Sequence, residues 1–102
     1  MNKLRHVVLF KFKDSSSPET IQQLEQAFKT FATHLPEVHD FEWGHNNSPE
    51  GLNDGFSHCF LVTFLTEADR NAYLPHPKHQ EFVTQLQPHL EKVCVLDYWA
   101  QS

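Results

Sequence analysis

Tyr73, His76 and His79 crowd into one seven-residue stretch, YLPHPKH (73–79), which two prolines, Pro75 and Pro77, interrupt inside an otherwise helical region. His6 and His58 each open an apolar, strand-like run. An imidazole titrating near neutrality is a competent general base, and a phenol hydroxyl can donate to an oxygen that gains charge during reaction. Such a pair suits proton abstraction next to a carbonyl. A proline-broken helix also leaves backbone groups that must find side chains, water or a ligand. The expectation is a cavity lined by His6, His58, Tyr73 and His79, with His76 capping the resumed helix.

The chain has eight histidines, and not all of them invite a chemical role. His34, His39 and His89 fall at helix ends or polar positions, where capping or solvated rings are ordinary. His45 shares strand parity with Phe41 and Trp43 and is ambiguous. His76 and His79 with His6 and His58 could supply imidazoles to zinc or copper, but no carboxylate or thiol stands at conventional ligand spacing. No metal or other cofactor is expected. No glycine-rich phosphate loop, G-x-S-x-G elbow or Cys-His nucleophile pattern appears.

Composition narrows the partners. A net charge of -5, with eight lysines and arginines that form no run, lacks the attraction that a phosphate backbone requires, which argues against nucleic acid. No segment approaches the ~20 apolar residues of a membrane span, and the N-terminal run lacks a long apolar core and cleavage site, so a cytoplasmic protein with no membrane partner is expected. In that compartment Cys59 and Cys94, each within an apolar run, are expected as core thiols without a disulfide.

These residues need elements to place them. RHVVLFKF (5–12) is β-branched and aromatic without a breaker, hence a strand. Ser16 or Ser17 caps a helix over 18–35, with Pro18 near its start and Ile21, Leu24, Phe28, Phe31 and Leu35 forming one apolar face. Residues 38–46 alternate as a second strand, a long turn-rich connection follows, and 56–65 form a strand apolar on both faces. A helix capped by Thr66 runs to Tyr73, resumes after the prolines with Phe82, Val83, Leu86 and Leu90 on one side, and a strand over 93–99 ends the order.

The result is a single α+β domain over 1–102, a ferredoxin-like β-α-β-β-α-β arrangement. Its four-stranded antiparallel sheet has strand order 4-1-3-2 and both helical segments on one face. Strands one and three are expected as central, parallel neighbours, which would set His6 and His58 side by side at one end of the sheet. Phe10, Phe12, Phe60 and Phe64 suit the layer under the helices. Val7, Leu9, Leu61 and Leu65 are left on the other face, an apolar area too large for a soluble monomer. A homodimer with sheets packed face to face is expected.

LRHVVLFKFK, WGHNNSPEGLNDGFSHCFLVTF, YLPHPKHQEFV and VCVLDY, in this order, resemble the stress-responsive α/β-barrel (Dabb) family over nearly the whole chain. That resemblance implies a ferredoxin-like monomer pairing into a dimeric α/β barrel. A plant polyketide cyclase of the family uses a tyrosine and a histidine of a Y-x-x-H-P-x-H block. The resemblance thus implies Tyr73 and His79 as catalytic residues, with His6 and His58 in the pocket; Pro75 departs from the block. Two functions follow as expectations. One is a small-molecule-binding dimer, with Tyr73 and His79 catalytic and His6, His58 and His76 ligand-binding, acting in a cyclase or lyase-type reaction on a carbonyl substrate. The alternative is a non-catalytic, stress-associated structural dimer.

Overall fold

In the computed structural model, which describes residues 2–102, β1 (Leu4–Phe12) is followed by α1 (Pro18–His34), β2 (Asp40–His45) and β3 (His58–Phe64). Then come α2 (Glu67–Tyr73), α3 (Pro77–Leu86), a 3-10 turn (Gln87–His89) and β4 (Leu90–Trp99). The sheet order is β2-β3-β1-β4, the expected ferredoxin-like topology. Local signals explain the boundaries. Ser17 caps α1 by accepting from the Thr20 N–H at 3.1 Å, with Pro18 at the first helical position, and Pro36 follows the extended Leu35 that ends it. Pro88 lacks an N–H, so the last helix stops at Leu86 and Leu90 opens β4 rather than extending the helical apolar stripe as expected.

Strand direction departs from expectation. β1 pairs antiparallel with β3, not parallel to it, because α1 returns the chain to start β2 in the direction of β1 and β3 then turns back beside β2. In the resulting register His6 lies opposite Val62, whereas His58 lies opposite Phe10. Four residues of β1 separate the two histidine positions, roughly 13 Å of strand. They occupy opposite ends of the sheet.

Period-two alternation sorts β1 cleanly. Leu4, His6, Val8, Phe10 and Phe12 are buried under the helices, while Arg5, Val7, Leu9 and Lys11 lie half-buried on the other face. Cys59 and Cys94 both pair with Leu9 and share that open face. They are free and exposed, so the expectation of core thiols is overturned by strand parity.

The helix-side core is a phenylalanine layer. Phe28 of α1 stacks on Phe60 at 4.4 Å between ring centroids and meets Phe82 at 4.9 Å, Phe31 at 5.2 Å and Phe41 at 5.4 Å. It is 3% exposed. Phe28→Ala removes contacts to the sheet and to α3 at once and should cost about 3–5 kcal/mol, read as a lower urea midpoint. A loss below about 1 kcal/mol would contradict this assignment of the core.

Candidate active site

Thr66 caps α2 by accepting from the Asp69 N–H at 3.0 Å, and the helix ends by driving Tyr73 into the layer above the sheet, where it is 0% exposed. The ring sits 4.9 Å from His79, 5.1 Å from Phe64, and 5.9 Å from both His6 and Phe31, centroid to centroid. Its hydroxyl has no hydrogen-bond partner among the described residues. Burial pushes the phenol pKa up, so the group is a donor and not a phenolate.

The two prolines orient His79. In a continuous helix the Leu74 carbonyl would accept from the N–H of residue 78, but the Lys78 N–H is taken by His76 Nδ1 at 3.1 Å, the cap of α3. The freed Leu74 carbonyl accepts instead from His79 Nδ1–H and from the Gln80 side chain, each at 2.9 Å. A carbonyl can only accept, so the proton of a neutral His79 ring is on Nδ1 and the Nε2 lone pair is left available. Burial lowers the His79 pKa, and nearby His6 acts in the same direction, against the opposing effect of the Leu74 hydrogen bond. The ring is neutral and base-competent near pH 7.

His6, buried at 4% exposure, is held by a charged pair that the sequence reading missed. Asp97 faces it across the β1–β4 register, and His6 Nδ1–H donates to Asp97 Oδ1 at 2.7 Å. The Arg70 guanidinium donates to Asp97 Oδ2 at 3.2 Å. The signal was present in parity, since Asp97 interrupts the row Val93, Val95 and Trp99 at the position facing His6.

One end of the sheet therefore brings together His6, Tyr73 and His79 and leaves out the other two candidates. His58 lies at the far end and does not stand beside His6, a direct result of antiparallel pairing. There its Nε2–H donates at 2.7 Å to Glu25 Oε2, an oxygen that also accepts from His45 Nε2–H at 2.9 Å. Burial raises the Glu25 pKa, but hydrogen bonds from His45 and His58 outweigh it and hold the carboxyl below its ordinary range. Burial likewise lowers the His58 pKa against Glu25. His76 lines a groove of about 660 Å³ between α1 and α3, with Thr30, His34, Phe82 and Gln85.

Fold and site together define a ferredoxin-like α+β domain with a buried histidine–tyrosine constellation beside its second crossover. The chain belongs to the Stress responsive A/B Barrel Domain (Dabb) family, whose profile matches residues 4–100. It is 37% identical over 95 residues to the stress-response A/B barrel domain-containing protein HS1 of Arabidopsis thaliana, covering 93% of this chain and 87% of that one. It is 30% identical over 98 residues to olivetolic acid cyclase of Cannabis sativa, with 93% and 94% covered. Among solved structures, hydroxynitrile lyase from Passiflora edulis superposes with a TM-score of 0.90 at 30% identity, covering 97% of this chain and 94% of that one. A dimeric ferredoxin-like protein from Jannaschia sp. does so with a TM-score of 0.81 at 25% identity, covering 94% and 97%.

The lowered pKa of His79 fixes the sign of a pH effect. The unfolded chain takes up the proton first as pH falls, so the stability tied to neutral His79 is complete above the ordinary histidine value of about 6.5 and is lost below it. Thermal midpoints should fall on acidification from about pH 7 to about pH 5, with a shallower slope in His79→Gln. Equal slopes in the two proteins would contradict the neutral-ring assignment.

Proposed function

We propose that this chain is a homodimeric, small-molecule-binding protein that carries out a cyclase or lyase-type reaction on a small carbonyl compound at the His6–Tyr73–His79 end. The observation that carries this reading is the Tyr73 hydroxyl, fully buried beside two imidazoles and without a hydrogen-bond partner among the described residues. A buried hydroxyl left unsatisfied costs stability, and a ligand oxygen would satisfy it. His79 Nε2 would take a proton from the carbon next to the carbonyl. The C–H electron pair would pass toward the carbonyl oxygen, whose growing charge Tyr73 O–H would stabilise. His6, oriented by Asp97, would fix the ligand.

The similarity to a cyclase and a hydroxynitrile lyase supports chemistry of this type. The stack of Phe28, Phe60 and Phe82 fills the middle of the layer, which supports a short substrate rather than a long chain. Dimerisation is supported by the dimeric relative and by an open sheet face on which Leu96 is 63% and Tyr98 45% exposed. The cytoplasmic setting remains part of the proposal and rests on the two free thiols, Cys59 and Cys94.

Tyr73→Phe separates the catalytic reading from the structural one. Removing an orphan hydroxyl should leave the thermal midpoint unchanged or raise it, while thermal-shift binding to a panel of small aldehydes, ketones and acids falls at least about tenfold. A variant that loses stability with no change in ligand response would favour a purely structural tyrosine. For the dimer, Leu96→Arg should convert the sedimenting species from two chains to one. A wild-type protein sedimenting as a monomer at micromolar concentration overturns the assembly.

A further inference from the structure

The far end of the sheet holds a group that the histidine–tyrosine reading leaves unused. Glu25 follows Ile21 by four residues and precedes Phe28 by three, so α1 turns its carboxylate inward on the apolar face, where only 9% of the residue is exposed. The histidines at the end of β2 and the start of β3 are directly paired, His45 with His58, and both Nε2 atoms converge on Glu25 Oε2. One carboxylate oxygen and two imidazole nitrogens thus lie within 4.8 Å of one another.

We propose that Glu25, His45 and His58 form a binding site for one divalent transition ion of the zinc class. Two imidazoles and a carboxylate are a donor set for zinc and its neighbours, whereas magnesium and calcium favour oxygen ligands. Metal–ligand bonds of about 2.0–2.1 Å in a tetrahedron put the donor atoms roughly 3.3 Å apart. The present separations of 2.7 and 2.9 Å from Oε2 to the two nitrogens call for a small retreat of the carboxylate, and the two nitrogens, which lie within 4.8 Å of each other, are brought to that spacing by a swing of the exposed His45 ring.

The surroundings hold His58 ready for that role. Its ring lies parallel to Trp43, with an interplanar angle of 2° and centroids 6.3 Å apart, and Phe12 meets it edge-on at 4.9 Å. His58 Nδ1 is 2.7 Å from Ser57 Oγ. With Nε2–H on Glu25, that hydroxyl donates to Nδ1; with Nε2 on a metal, Nδ1 carries the proton and the hydroxyl accepts it. Serine serves either tautomer, so the proton moves between ring nitrogens without leaving a buried atom unpaired. The His45 side chain is 61% exposed, so water would have access to a fourth ligand position on that side.

The test uses the full-length, untagged chain, titrated with zinc against a competing chromogenic indicator and with cobalt while tryptophan fluorescence and visible absorbance are followed. Wild type should bind one equivalent of either ion, with cobalt quenching Trp43, whose ring lies 5.2 Å from that of His45. His45→Ala removes a largely exposed ring but also one of the two hydrogen bonds on Glu25, so the apo thermal midpoint should fall modestly while zinc weakens at least about tenfold. Glu25→Gln should do the same if it folds. His79→Gln and Tyr73→Phe should retain full zinc affinity, so this test stands or falls apart from the carbonyl chemistry at the other end. Unchanged zinc affinity in His45→Ala, or no saturable binding by wild type, overturns the proposal.

Discussion

The ring of Phe28 lies almost flat on Phe60 and also touches rings from β1, β2 and α3, so one side chain of α1 ties the sheet to both long helices above it. Aromatic burial of this size dominates a small core, and close packing fixes the height of α1 and α3 above the strands. That height decides what reaches inward at each end. At one end Glu25 lies one helical turn before Phe28 and meets His45 and His58. At the other, Phe31 supports the rings of Tyr73 and His79.

The broken helix between Tyr73 and His79 has its own accounting. The diversion of the Lys78 N–H to His76 releases the Leu74 carbonyl, and the chain satisfies it with the His79 and Gln80 side chains. What looks like a defect in a helix is therefore the device that sets a histidine tautomer. Asp97 does the corresponding work for His6, with Arg70 holding the carboxylate from its second oxygen.

Much of this was legible in the sequence because the signals were local. Period-two alternation in β1, the caps at Ser17 and Thr66, and the apolar stripe of α1 depend on neighbours within a few residues, and each appears in the structure. Strand direction was misjudged because it follows from counting reversals along the whole chain, and that one error placed His6 beside His58. Glu25 and Asp97 escaped for a related reason. Each is a single acidic residue in an apolar row, and its meaning depends on which histidine a different element brings opposite. The cysteines show the converse, since an apolar neighbourhood in sequence suggested burial while parity put both on the open face.

The antiparallel pairing of β1 with β3 carries a consequence for how such a chain can change over time. A wall of phenylalanines separates the two polar ends, so a substitution that retunes charge or shape at one end need not propagate to the other. A scaffold insulated in this way can keep one end fixed while the other is tried against new ligands. In so small a domain, the length of a strand supplies the separation between two polar clusters that a second domain supplies elsewhere.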